Sequence, residues 1–224
     1  MPDALIVADG DVPSRATIDR LIGPDGRRNL FVIAADGGAL KAGALGLRPN
    51  VVVGDADSLT DADVDRLRAD GVEVLTFPSA KDESDTELAV REALRRGAER
   101  LVIVGAFGGR RFEHALANVL LLTLPELRGH DACLADGASV LRVLFGGERL
   151  EITGEVGDNV SLLPLTEEAA GVTTDGLSYA LTGATLRQGP ARGLSNELSG
   201  ARASVSLDAG RLAVIHTRRE METR

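Results

Sequence analysis

The 224-residue sequence predicts an α/β unit, with a mostly parallel sheet and flanking helices, over residues 1–128, followed by an all-β sandwich over residues 129–224. Up to about residue 125, short β-branched runs alternate with longer helical patterns, which is how a parallel sheet with crossover helices is written. After Pro125 the runs are short, often alternate apolar with polar, and are separated by Gly, Asp or Asn turns. Hydrophobic residues make up 44% of the chain but aromatics only 3%, so both cores must be built of Leu, Val, Ile and Ala.

The predicted strands of the first unit are LIVA (5–8), LFVIAA (30–35), VVV (51–53), VEVL (72–75) and LVIVGA (101–106). Continuous apolar runs bounded by Gly, Asp or Pro suit strands buried on both faces. Helices are expected over SRATIDRLI, DADVDRLRAD, DTELAVREALRRG and EHALANVLLLTL. The third has Ser84 three residues before Glu87, the capping-box spacing, and stops at Gly97. This sheet is Rossmann-like. In the second half ACLAD, SVLRVLFG, RLEI, NVSLLPL, GLSYAL, RASVSL and RLAVIHT are expected to pair antiparallel, with no helix beyond about residue 128.

Charge and cysteine content narrow the function. A net charge of −9 argues against nucleic acid or an anionic membrane as partner. Cys133 is the single cysteine, which excludes an intrachain disulfide and suits a reducing cytoplasm; it is expected to be a buried thiol. The N-terminus lacks the basic region of a signal peptide, and no apolar stretch approaches the ~20 residues of a membrane span.

Ligands of a parallel α/β sheet gather at the carboxyl ends of its strands, so the residues following each strand matter most. They are Asp9-Gly10-Asp11, Asp36-Gly37-Gly38, Gly54-Asp55-Ala56-Asp57-Ser58, Lys81-Asp82-Glu83-Ser84-Asp85 and Gly105-Ala106-Phe107-Gly108-Gly109-Arg110. Taken singly, each has a plain reading. Asp36 would cap a helix, Asp55 and Asp57 would form a solvated Asx-turn, Asp82 or Ser84 would cap the next helix, and Asp85 would complement a helix dipole. Five such loops on one edge make a site. Asp36, Asp55, Asp57 and Asp85 offer hard oxygen ligands, which favour Mg²⁺ over zinc. Gly108 and Gly109 before a helix let backbone N–H groups approach a phosphate, and Arg110 adds a permanent cation. His114 and Asn118 share one face of that helix. Magnesium, arginine and glycines suit polyphosphate chemistry, yet there is no GxxxxGK[ST] and no GxGxxG. A DxDS phosphohydrolase of the haloacid dehalogenase type is disfavoured, because its nucleophile follows the first strand and this pair follows the third.

ADGGA (35–39), GDADS (54–58), KDESDTELA (81–89) and GGRRFEHALANVLLL (108–122) resemble, in order and spacing, the thiamine pyrophosphokinase (thiamine diphosphokinase) family; NVSLLPL, GLSYAL and GLSNEL extend the likeness into the second half. The resemblance implies transfer of a diphosphoryl group from ATP to the thiamine hydroxyl, giving thiamine diphosphate and AMP. It also implies a homodimer with its site at the subunit interface. Asp55, Asp57 and Asp85 would organise Mg²⁺ and ATP with Asp36 nearby, and would be catalytic together with Arg110. Gly37, Gly54, Ser58, Lys81, Gly108, Gly109, Glu113, His114 and Asn118 would complete the binding set, and Ser195 and Asn196 would hold thiamine. Two departures bear on the acceptor: Glu113-His114 replaces the family's Asp-His after GGR, and the chain has no tryptophan to stack on thiamine, Tyr179 being its only tyrosine. The alternatives are a pyrophosphokinase for another hydroxymethyl heterocycle, such as a pterin, and a non-catalytic nucleotide sensor.

Overall fold

The computed structural model describes residues 3–26, 30–55, 57–109 and 111–219. The chain forms two compact units, Met1–Gly137 and Ala138–Arg224. In the first, β1 (Ala4–Val7), β2 (Phe31–Ala35), β3 (Val51–Gly54), β4 (Glu73–Thr76), β5 (Arg100–Val104) and β6 (Asp131–Asp136) lie in the order β6-β5-β1-β2-β3-β4. All five pairings are parallel. The run ACLAD, expected in the sandwich, instead adds β6 beside β5, so the division falls at Gly137 rather than near residue 128. A six-residue strand carries too short a pattern to reveal which partner it takes.

The apolar runs are explained by burial. Leu5, Ile6, Ile33, Leu101 and Ile103 are all fully buried, each stabilising by about 1.5–3 kcal/mol. Edge strand β4 instead has exposed ends and half-buried middle positions. The crossovers carry α1 (Arg15–Gly26), broken at Gly23 and Pro24, then α2 (Gly38–Ala44), α3 (Asp61–Ala69), α4 (Asp85–Arg95) and α5 (Phe112–Leu121). The reciprocal capping box occurs on α3, between Thr60 and Asp63. On α4 only half of it forms: Glu87 N–H donates to Ser84 Oγ at 3.1 Å, while the Glu87 carboxylate turns to Arg91 at 2.8 Å. Ser84, not Asp82, is therefore the cap of α4.

The second unit pairs β7 (Ser139–Phe145), β14 (Arg211–Thr217), β9 (Asn159–Pro164) and β12 (Asn196–Glu197) in one antiparallel sheet. β8 (Arg149–Thr153), β13 (Arg202–Ser206), β10 (Glu168–Asp175) and β11 (Ala184–Arg187) form the other. Leu162, Leu186, Leu198, Val205, Leu207 and Val214 fill the core between them. Alternate residues of these half-buried strands face that core, which is why the sequence alternates. Buried Asp158 accepts from Glu155 N–H at 3.0 Å, from Arg219 N–H at 2.9 Å and from His216 Nε2 at 2.9 Å. Cys133 is buried, and among the described residues no helix is long and apolar enough to cross a membrane.

Candidate active site

A cleft of about 670 Å³ opens at the carboxyl ends of the strands of the first unit. Its position follows from the strand order. β1 has β2 on one side and β5 on the other, so the chain reverses direction across the sheet at β1, and loops that part there leave a crevice. Their bases are stitched together. Gly10 N–H donates to Gly105 O at 2.8 Å, and Asp11 N–H donates to Phe107 O at 2.7 Å. A Cβ at Gly10 would lie 2.1 Å from Phe107 O, so only glycine allows this approach.

The carboxylates converge by the same logic. Gly54 ends β3 at φ 152°, and a Cβ there would sit 3.0 Å from Asp36 Cβ and 3.2 Å from Asp85 Oδ1. The missing side chain thus lets the β2 and β3 loops and the start of α4 close on one point. Asp36 is 6% exposed with φ 45°, and Gly37, not Asp36, stands at the N-cap of α2. Ser58 Oγ donates to Asp57 Oδ1 at 3.1 Å, while Asp57 N–H donates to Asp55 Oδ1 at 3.2 Å. The Asx-turn expected of GDADS therefore exists, and it aims its second carboxylate into the cleft.

One oxygen from each of Asp36, Asp55 and Asp57 lies within 4.8 Å of the others. Asp85 stands beside this triad, with Lys81 Nζ 3.1 Å from its Oδ1 and 3.8 Å from Asp55 Oδ2. The nearer contact is an ion pair without hydrogen-bond alignment, because buried Asp85 Oδ1 has no hydrogen-bond donor. Buried Asp36 Oδ1 has none either.

The electrostatics reflect this crowding. Burial raises the Asp36 carboxyl above the ordinary carboxylate range, and the nearby Asp57 and Asp85 charges add to the rise. Hydrogen bonds from Ser58 and the Gly37 backbone oppose it. Asp55 is lowered, chiefly by the Asp57 N–H bond. Lys81 is raised: burial opposes its charge, but Asp85, Asp55 and Asp36 outweigh burial. The buried Asp36 Oδ1, left without a donor among the hard oxygens of Asp55 and Asp57, fits a divalent cation of the magnesium type.

Among the remaining expected residues, Ser58, Lys81, Gly108, Gly109, His114 and Asn118 line the cleft. Gly37 and Gly54 are not in the lining but make room for it, Gly37 beside the Asp9 carboxylate and Gly54 beside Asp36 and Asp85. Asn118 is buried and donates from Nδ2 to Ala106 O at 2.8 Å, holding the β5–α5 loop. Glu113 is exposed and ion-paired with Arg111 at 2.8 Å, outside the cleft lining. Arg110 lies outside the described residues. Ser195 and Asn196 belong to the second unit. There the Asn196 amide is taken up locally: Oδ1 accepts from Tyr179 N–H at 3.0 Å and from Glu197 N–H at 2.9 Å, and Nδ2 donates to Tyr179 O at 2.7 Å. The cleft also contains Asp9, placed on this edge by the sequence but left out of the expected site set, and Ser79 and Arg111, to which the sequence assigned no role. Asp9 was findable, standing in the loop that follows β1. Ser79, which hydrogen-bonds Asp55, carries no such signal.

Two family models match successive parts of the chain. The thiamin pyrophosphokinase catalytic domain covers residues 27–134 and the thiamin pyrophosphokinase vitamin B1 binding domain covers residues 149–212. The chain belongs to the thiamine pyrophosphokinase family. The activity of that family is the ATP-dependent formation of thiamine diphosphate, and the chain shares it. Thiamine pyrophosphokinase of Bacillus subtilis (strain 168) is 27% identical over 185 residues, 83% of this chain and 86% of its own. A crystal structure of the Bacillus subtilis thiamine pyrophosphokinase superposes with a TM-score of 0.83 at 26% identity, covering 96% of this chain and 99% of that one. That of a thiamin pyrophosphokinase family protein from Enterococcus faecalis gives 0.79 at 28% identity, covering 97% and 100%. Yeast thiamin pyrophosphokinase, at 14% identity, shares the fold with a TM-score of 0.75 over 96% of this chain and 86% of its own.

Proposed function

We propose that the chain carries out this reaction in the cleft of its first unit, with Asp36, Asp55 and Asp57 holding Mg²⁺ for ATP. The observation that carries the reading is the carboxylate triad, with one member buried and an oxygen left without a donor at the carboxyl edge of a parallel sheet. Three carboxylates at this separation repel one another, and a divalent cation converts that repulsion into binding. Bound there, Mg²⁺ neutralises charge developing on the phosphate oxygens.

The chain's own residues do the rest. Gly108 and Gly109 present backbone to the phosphates, and the Arg110 guanidinium adds charge at the same loop. The thiamine hydroxyl oxygen bonds to the β-phosphorus as the bridging oxygen leaves with AMP, and positioning is the main contribution of the protein. Asp85, outside the triad, orients the hydroxyl and takes its proton. Ser195 and Asn196 lie within the span matched by the vitamin B1 binding domain, which supports their place in the thiamine subsite.

The acting form is a homodimer in the cytoplasm, with the site at the subunit interface. Phe112, Leu116 and Leu120, four residues apart on α5, are 80%, 53% and 48% exposed, an apolar stripe that a second copy would cover. Light scattering on the full chain, with Phe112→Asp shifting it toward monomer, checks this. The activity is tested by incubation with Mg²⁺ and ATP, with and without thiamine. Thiamine-dependent AMP release supports it, whereas orthophosphate release without an acceptor would sink it.

A further inference from the structure

Lys81 holds a position that a divalent cation would contest. Its side chain is 12% exposed, and its ammonium lies 3.1 Å from Asp85 Oδ1 and 3.8 Å from Asp55 Oδ2. Asp55 is also a member of the triad, so the lysine and the metal share a ligand. A divalent ion entering among Asp36, Asp55 and Asp57 meets a tethered positive charge held by Asp55 and Asp85. Like charges this close repel, and the lysine cannot diffuse away because the chain before α4 anchors it. It can turn toward other anions, and the cleft it lines is where phosphates would arrive.

We infer that Lys81 is a built-in counter-ion that makes metal binding depend on the arrival of the nucleotide's phosphates. Without nucleotide it neutralises part of the acidic cluster and holds divalent ions off. With nucleotide, the phosphates take over the ammonium and release Asp55 and Asp85. Metal and nucleotide then bind with positive coupling, and the coupling is reciprocal. The inference rests on the Mg²⁺–ATP reading of the same cleft.

Mn²⁺ binding to the nucleotide-free full chain, followed by electron paramagnetic resonance, tests it without turnover. Lys81→Met should bind Mn²⁺ about tenfold more tightly than the parent, within the 5–150-fold range of such couplings. Lys81→Arg, which keeps the charge, should remain near the parent. A companion titration measures an α,β-methylene analogue of ATP with saturating Mn²⁺ and with none. The ratio of the two affinities should be large in the parent and smaller in Lys81→Met. Lys81→Gln replaces the methionine variant if circular dichroism shows the latter unfolded. Unchanged or weaker Mn²⁺ binding in a folded, charge-free variant overturns the counter-ion role while leaving the cleft reading intact. Failure of the parent to bind the analogue even with Mn²⁺ overturns the cleft reading, and the inference with it.

Discussion

Replacing Asp36 by asparagine keeps the shape of a buried side chain and removes its charge. The parent carboxylate is 6% exposed, leaves Oδ1 without a donor, and has oxygens of Asp55 and Asp57 within 4.8 Å. Two unit charges at that distance repel by about 3.5 kcal/mol at an effective dielectric of 20, and by about 0.9 kcal/mol at the value for water. Asp57 is exposed and Asp55 is partly neutralised by Lys81, so the lower part of that range applies to each pair. The asparagine oxygen can still accept from Ser58 and the Gly37 N–H. Asp36→Asn should therefore stabilise the metal-free protein by about 1–3 kcal/mol, at about 2–4 °C per kcal/mol for a chain of this size. Thermal melts in chelator measure it. With Mg²⁺ and nucleotide the order should invert, because only the parent gains a ligand contact, and thiamine-dependent AMP release should be lost. The pH dependence follows from the raised Asp36 carboxyl. A raised folded-state value means stability is greatest below the unfolded value and declines as pH rises through the folded one. The advantage of the variant in chelator should therefore shrink as pH falls toward the ordinary carboxylate range. A variant that melts at or below the parent at neutral pH, without metal, refutes the reasoning.

Other perturbations address other parts of the fold. Asp57→Asn should cut turnover by at least about a hundredfold with circular dichroism unchanged, as expected for a lost charge-stabilising ligand; near-normal activity would remove Asp57 from the metal set. Asn118→Leu removes the donor to Ala106 O and leaves a buried carbonyl unpaired, costing about 1–3 kcal/mol by urea unfolding and raising the KM for ATP as the β5–α5 loop loosens. An unchanged KM would confine Asn118 to stability. Asp158→Ala strips the acceptor from Glu155, His216 and Arg219 and should destabilise by about 3–5 kcal/mol in the same assay. Asp158 is lowered: burial works against its charge, and the backbone bonds and His216 overcome burial. Its contribution should be present above the ordinary carboxylate value and disappear as pH falls through the lowered one. A parent whose acid unfolding matches the variant would contradict that.

Much of the architecture was legible because period and composition are local. The apolar runs around Ile6, Ile33, Val52 and Ile103 announced buried parallel strands, and the alternation of Ala203, Val205 and Leu207 with serines in RASVSL announced a strand with one face on a core. The position of β6 was not legible, since a pairing partner is a long-range choice that Asp131–Asp136 cannot encode alone. In the same way, the spacing of Ser84 and Glu87 suggested a reciprocal cap, but Arg91 one turn later offered Glu87 a charged partner and took it.

The site divides along the same line. By itself the sequence determined which residue types end each strand, and hence that carboxylates, glycines and one arginine collect on a single edge, because strands of a parallel sheet share one direction. It also carried the ordered motifs by which the family is recognised. Only the tertiary structure decided which carboxylates meet: Asp36 joins Asp55 and Asp57, while Asp85 is held by Lys81. Likewise, Asn118 was seen to brace a loop and Asn196 to grip Tyr179 only once packing had aimed their amides. The physical reason is distance. Electrostatic coupling and hydrogen bonding depend on ångströms between atoms far apart in the chain, and Gly54, through an absent side chain, sets those ångströms at the centre of the site.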